Sequence, residues 1–516
     1  MIWHATDLVA LAGMHSEEQT NMKMPPADET AIPKRSDLVD RFRKFLSEES
    51  VIDDRDALKV YETDGLTAYH QSPMIVALPD TTAQVAQILK ICATEGIKVV
   101  PRGAGTGLSG GALPLVDGVT VGLAKFNQIL DIDYGNRTAT VQPGVTNLAI
   151  SQAVEAKGFY YAPDPSSQIA CTIGGSVAEN SGGVHCLKYG VTTNNILGLE
   201  MVLIDGEIIR LGGKHMESSG YDLLGLIAGS EGLLGVITEV TVRILPKPAT
   251  ARALLVGFST VEASGRCVVD IIGAGVIPSG MEMMDKAAIH AAEDFCDAGY
   301  PLDVEALLII ELDGPKVEVD HLLQRVEEIA TSCGAINIRA SKNEKERLKF
   351  WEGRKAAFPA VGRISPDYYC MDGTIPRARL PEVLARMTDL SDKYKLRVAN
   401  VFHAGDGNLH PLILYDANKP RELERAEKFG ADILKLCVEV GGVLTGEHGV
   451  GVEKRDLMGT MFNEQDLNQQ QRVKCAFDSE GLLNPGKVFP TLHRCAELGR
   501  MHIHHGQIPF PELPRF

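Results

Sequence analysis

The chain has 516 residues and a formal net charge of −17; its length predicts two domains, and its acidic balance excludes a nucleic-acid binder, which concentrates Lys and Arg where phosphates sit. No window reaches the roughly 18 uninterrupted apolar residues of a membrane-spanning helix, residues 1–13 have no basic start before their short apolar stretch, and the ten cysteines include no CxxC pair. An acidic cytosolic enzyme is expected, without a transmembrane helix, a signal peptide or a locally assembled zinc ribbon or iron–sulfur site.

Residues 1 to about 33 are polar, Met-rich and aperiodic, which predicts an extension rather than a folded element. Thr81 and Gln84 form a capping-box pattern. Val85, Ile88, Leu89 and Cys92 then recur at helical spacing until Gly96, which predicts a helix followed at once by a strand over 97–100. The strand runs into Pro101-Arg102-Gly103-Ala104-Gly105-Thr106-Gly107-Leu108-Ser109-Gly110-Gly111, where Gly105, Gly107 and Gly110 satisfy G-x-G-x-x-G. A nicotinamide-binding βαβ unit needs a helix next, but Pro114 and the alternation over 119–123 predict another strand, so that fingerprint fails on context. What remains is a tight loop presenting backbone N–H groups to phosphate oxygens, or, taken alone, an ordinary surface loop. Two further glycine-rich stretches follow: 171–183, after the turn Pro163-Asp164-Pro165-Ser166-Ser167, and 229–238, before an alternating strand at Val240, Val242 and Ile244. All three are dominated by the small residues that close approach to a large flat ligand requires.

Pro246-Lys247-Pro248 stops a strand and marks the domain boundary. Beyond it, helices over 317–329, 380–394 and 421–440 alternate with strands over 306–311 and 396–402, which predicts a helix-covered α+β domain. Arg354 carries a fork suited to a carboxylate, or is a solvated helix-face arginine among Lys345, Arg347, Lys349 and Lys355. The apolar run 398–402 leads into His403-Ala404-Gly405-Asp406-Gly407-Asn408-Leu409-His410, with a second run at 412–414. Asp-Gly is the preferred centre of a two-residue hairpin turn. With Asp406 and Gly407 at that centre, His403 stands directly opposite His410, their Cβ atoms about 5 Å apart. Such a pair can share one divalent ion or satisfy separate backbone groups. Gly446-Glu447-His448-Gly449-Val450-Gly451 adds a carboxylate and another imidazole, and Leu482-Leu483-Asn484-Pro485-Gly486-Lys487 contains a turn signal.

In order and wording these motifs resemble the vanillyl-alcohol-oxidase-type (PCMH-type) FAD-binding domain of the FAD-linked 2-hydroxy-acid oxidases and dehydrogenases. The likeness runs from about Ser36 to the tail around His504-His505-Gly506, and within the family it is to flavoprotein subunits of bacterial glycolate oxidases. The resemblance implies an α+β fold: a flexible extension (1–34), a two-part PCMH-type FAD-binding domain (35–248), a helix-covered antiparallel-sheet, ferredoxin-like substrate and metal domain (249–490) and a tail (491–516). It implies that Arg102, Gly103, Gly105, Thr106 and Gly107 hold the phosphates of FAD. Pro163, Thr172, Gly175, Asn180, Glu231 and Ile237 would line the cofactor, and Asn484 would approach the flavin. Relatives that tether flavin covalently often carry a histidine in the first loop; this loop has none, so the FAD is expected to be non-covalent.

The same resemblance makes His403, His410 and Glu447 ligands of a divalent zinc or manganese, His448 the base and Arg354 the substrate-carboxylate arginine. The implied reaction oxidises glycolate, and D-lactate, to the 2-oxo acid. The cation lowers the hydroxyl's pKa, His448 takes the proton, and hydride passes to flavin N5. Relatives acting on 2-hydroxy dicarboxylates carry hydroxyl, cationic and amide groups where this chain has Phe358, Cys370 and Leu412, which favours a substrate without a distal carboxylate. Asp478-Ser479-Glu480-Gly481 lacks the proline expected after the aspartate. The implied partners are a second flavin-domain subunit and an iron–sulfur subunit, through which the chain would reach the inner membrane. A stand-alone D-lactate dehydrogenase and a non-catalytic flavin-binding scaffold are the alternatives; a metal-dependent hydrolase leaves the glycine-rich loops unexplained.

Overall fold

The computed structural model describes residues 24–215 and 220–490, so the tail around His504-His505-Gly506 and residues 1–23 of the expected extension lie outside the described residues. The first predicted helix spans Thr82–Glu95: the Thr81 hydroxyl accepts from the Gln84 N–H, Gly96 closes the helix at φ +68°, and Val85, Ile88, Leu89 and Cys92 are buried. This stripe packs on a sheet ordered Val51–Ile52, Ile75–Ala77, Gly118–Gly122, Lys98–Arg102, whose last three strands are parallel. A second sheet is antiparallel and ordered Ile129–Asp133, Thr138–Val141, Val236–Arg243, Ile196–Val202, Ile208–Gly212. Residues 24–33, read from the sequence as part of a loose extension, are anchored here. The Asp28 N–H donates to Asp117 Oδ2 at 2.6 Å, and Ala31 is buried in the same apolar cluster as Phe42. Such partners lie too far along the chain for a local pattern to announce them.

After the proline seam, the strands Thr250–Phe258, Gly280–Asp285, Ala306–Gly314 and Ala335–Ala340 sit in the spatial order fourth, first, third, second. That is a ferredoxin-like unit with one additional helix, Lys286–Cys296, between its second and third strands. Val398–Phe402, Pro411–Tyr415 and Asp367–Cys370 extend it into a seven-stranded antiparallel sheet. Both faces are covered. Leu308, Ile310 and Leu312 belong to one apolar cluster, with the helices Val261–Gly273, Lys316–Ser332, Leu380–Tyr394 and Glu422–Glu439. Leu307 and Ile309 belong to another, with Lys286–Cys296 and Glu344–Val361. Side chains alternate between faces along a strand, so burial of both faces makes the sequence an unbroken apolar run. The chain finally returns to the first sheet: Val99 N–H donates to Leu482 O at 2.8 Å and Asn484 N–H to Val99 O at 2.7 Å.

Candidate active site

The three glycine-rich stretches line one cavity of about 500 Å³. At its first wall, Arg102 Nη1 donates to Thr63 O at 2.8 Å and the guanidinium lies over the Tyr61 ring, 5.7 Å from its centroid. Gly105 has φ +71°, and a Cβ there would collide with that guanidinium; a Cβ on Gly103 would stand 2.6 Å from Thr172 Oγ1. Thr172 heads the helix Ile173–Glu179 without capping it, and its buried hydroxyl has no hydrogen-bond partner. Of the residues expected to contact cofactor, Arg102, Gly103, Gly105, Thr106, Gly107, Thr172, Gly175, Glu231 and Ile237 line the cavity. Pro163, Asn180 and Asn484 do not; Pro165, Ser166 and Ser167 line it from the turn after Pro163. Asn180 ends its helix at φ +53° and accepts from Thr193 N–H at 2.8 Å. Asn484 is a tie: its Nδ2 donates to Gly111 O at 2.9 Å and to Glu231 O at 2.7 Å, joining the first and third stretches.

At the other end stand His403, His410, Glu447 and His448. The hairpin register differs from the one expected. His403 pairs with Asn408, and Asn400 with Pro411, so four residues rather than two make the loop. Neighbouring segments hold that loop open: Gly405 N–H donates to Met281 O at 3.0 Å and Ile375 N–H to Gly407 O at 3.0 Å. His410 therefore lies two residues beyond direct opposition, on the same face. The rings still meet, centroids 4.9 Å apart and planes at 86°. Glu447 Oε1 lies 3.2 Å from His403 Nε2 and 3.0 Å from His410 Nε2. Its Oε2 accepts from Gly182 N–H at 2.9 Å, across the seam.

Among the described residues two groups could hold a metal ion: His403, His410 and Glu447, or Cys370, His410 and His448. Ring orientation separates them. His410 and His448 are stacked, planes 11° apart and centroids 4.9 Å apart, so their lone pairs lie in two nearly parallel planes that do not meet at one ion. The perpendicular rings of His403 and His410 can converge on one ion, as two imidazole ligands must.

Carboxylates that sequence reasoning missed fix this geometry. Glu282 Oε1 lies 2.8 Å from His403 Nδ1, and Asp372 gathers the turn, accepting from Thr445 Oγ1 at 2.5 Å and from the N–H groups of Gly446 at 3.0 Å and His448 at 2.9 Å. Burial pushes the Glu447 carboxyl up, but hydrogen bonds from His403 and His410 outweigh it and hold the group well below its usual range. Burial likewise opposes the charged form of His403, yet the Glu282 charge and hydrogen bond hold that ring well above the usual imidazole range. His448 moves the other way, lowered by burial to about 4 against the pull of Asp372. Its ring makes no hydrogen bond to the described protein, and Nδ1 is enclosed, while the residue lines the cavity. Arg354 does not line the cavity: Nε donates to Glu282 Oε2 at 2.8 Å and Nη2 lies 2.6 Å from the same oxygen. Of the three positions read as lacking partners for a distal carboxylate, Phe358 lines the cavity, while Cys370 and Leu412 are buried in the sheet.

Residues 73–212 match the family described as "FAD binding domain", and residues 247–488 match "FAD linked oxidases, C-terminal domain". The chain belongs to the FAD-linked oxidases. This FAD-linked oxidase is 56% identical over 500 residues to the glycolate oxidase subunit GlcD of Escherichia coli (strain K12), covering 97% of this chain and 99% of that protein. It is 40% identical over 431 residues to GlcD of Bacillus subtilis (strain 168), covering 83% and 92%. It is 35% identical over 442 residues to a D-lactate dehydrogenase of Archaeoglobus fulgidus, covering 85% and 96%. Two solved structures share its PCMH-type fold. They are p-cresol methylhydroxylase with substrate bound (TM-score 0.76, 17% identity) and 4-ethylphenol oxidase from Gulosibacter chungangensis in an isoeugenol complex (TM-score 0.75, 18%); each match covers 90% of this chain and 98% of the other. The protein is thus an FAD-dependent oxidoreductase, and its cavity fits the cofactor: a buried hydroxyl awaits a partner at Thr172, and the bare backbone at Gly103 and Gly105 lets that hydroxyl and the Arg102 guanidinium keep their places at the cavity wall. Among the described residues no helix is long and apolar enough to cross a membrane.

Proposed function

We propose that the protein oxidises a short 2-hydroxy acid, glycolate and D-lactate, to the 2-oxo acid. The observation that carries this is one cavity shared by the FAD cradle and the convergent atoms of His403, His410 and Glu447, with His448 unengaged beside them. When bound, FAD supplies the hydride acceptor and a zinc or manganese ion the Lewis acid that lowers the substrate hydroxyl's pKa. His403, His410 and Glu447 hold the ion, and Glu282 orients His403 from behind, a support that metal-binding histidines commonly have. His448, kept neutral by burial, accepts the hydroxyl proton at Nε2. Arg354 lies outside the cavity and donates from Nε to Glu282, so its task is to hold the carboxylate behind His403 rather than to touch the substrate. Phe358 offers no donor to a distal carboxylate on its side of the cavity, which favours a substrate without one.

The GlcD relatives are named as subunits, and no two of the described cysteines form a CxxC pair that would seat an iron–sulfur site locally. The subunit names support a protein that works with partners, and the partners proposed are a second flavin-domain subunit and an iron–sulfur subunit that take its electrons towards the membrane. The dehydrogenase relative supports a second reading, a stand-alone D-lactate dehydrogenase; quinone reduction from lactate by the single purified chain separates the two. Anaerobic titration tests the substrate class. Glycolate and D-lactate are expected to bleach the flavin, and faster bleaching by 2-hydroxyglutarate than by either would sink the assignment.

A further inference from the structure

One acid in the cavity has no task in the proposed reaction. Glu179 closes the helix Ile173–Glu179 and lines the cavity. Its Oε2 is enclosed and has no hydrogen-bond partner. Backbone leaves room for the carboxyl on two sides: a Cβ on Gly111 would stand 2.9 Å from Oε1, and one on Gly449 would overlap Oε2. Gly449 follows His448, so the carboxyl sits against the turn that carries the base.

A second carboxylate, Glu231, flanks the same point, its Oε1 3.0 Å from where a Gly449 Cβ would lie. Two buried carboxylates that close do not both ionise. Burial raises the Glu231 carboxyl as well, but it accepts two backbone N–H groups at 2.7 Å, from Val450 and Gly451, which pull it back towards its charged form. Glu179 has no such donors, and burial together with the charges of Glu231, Asp64 and Asp372 outweighs Lys454 and holds its carboxyl well above the usual range. Of the pair, Glu179 is the carboxyl whose surroundings favour the protonated form.

We propose that Glu179 is a positioning residue that acts as a neutral acid, donating a hydrogen bond from its carboxyl O–H to the flavin ring. The inference rests on the FAD reading above. A donor at the ring favours the reduced cofactor, whose negative charge it meets, whereas a carboxylate there would oppose reduction.

Glu179→Gln keeps a neutral donor, and Glu179→Met keeps the volume without one. In the purified holoprotein, E179Q is expected to hold FAD within about threefold of the wild-type Kd and to leave the flavin midpoint potential, read by dye-coupled reduction, where it was. E179M, with an unchanged circular dichroism spectrum, is expected to bind FAD about tenfold more weakly, the scale of one lost hydrogen bond, and to lower the potential. A raised potential in E179Q means an ionised Glu179 and overturns the proposal, as does an E179M protein matching wild type in both readouts. Wild-type protein that takes up no FAD would instead overturn the cofactor reading beneath it.

Discussion

Around Gly103, Gly105 and Thr172 the cavity is shaped by backbone and by missing side chains. Around His403, His410 and Glu447 it is shaped by buried side chains, each held by another: Glu282 behind His403, Gly182 N–H behind Glu447, Asp372 beneath the turn. The first region is vulnerable to added atoms and the second to lost charge. One can therefore be broken while the other survives, although Glu231 ties a loop of the first to the turn of the second.

The largest effect is expected on the charged side. His448→Ala should lower kcat by about 10²- to 10⁴-fold, the range for a lost general base, while FAD and metal content stay at wild type; loss of either would mean the ring is structural. Because burial lowers His448 to about 4, the ring stays neutral where an exposed imidazole, pKa about 6.5, takes up a proton. The acid limb of kcat/KM should therefore fall nearer pH 4 than 6.5. The same shift has a stability consequence: below about pH 6.5 the unfolded ring binds a proton that the folded one refuses, so this contribution is lost as the pH falls towards 4. Next in size, Glu282→Gln should weaken metal binding by about 10- to 100-fold, as other losses of a carboxylate behind a ligating histidine do, with FAD content unchanged. Smallest, and on the opposite side, Gly105→Ala sets a Cβ at φ +71° against Arg102 and should weaken FAD binding by roughly tenfold, from about 1–2 kcal/mol of backbone strain, while the metal stays; equilibrium dialysis with metal analysis reads both losses.

Local signals were legible in the sequence where both partners lie within a few residues. The Thr81 cap and the Gly96 terminus delimit their helix, and the helix expected over 380–394 is the observed Leu380–Tyr394. The three glycine-rich loops announced a cavity because absent side chains are visible in a sequence. The hairpin register was not legible, since Met281 and Ile375, which hold its loop open, are far along the chain. Glu282 lies 121 residues from His403, and Asp372 lies 76 from His448, so neither could be assigned to its partner before folding. Arg354 looked like a free fork because the sequence does not show that two of its nitrogens face Glu282.

The central claim is that an ion held by His403, His410 and Glu447 serves the flavin's substrate, and chelation tests it most directly. Protein stripped of metal under conditions that retain FAD should stay yellow and resist bleaching by anaerobic glycolate, then recover when Zn²⁺ or Mn²⁺ is returned; the Glu447→Gln protein should not recover. Bleaching at an undiminished rate in the metal-free protein would contradict the account.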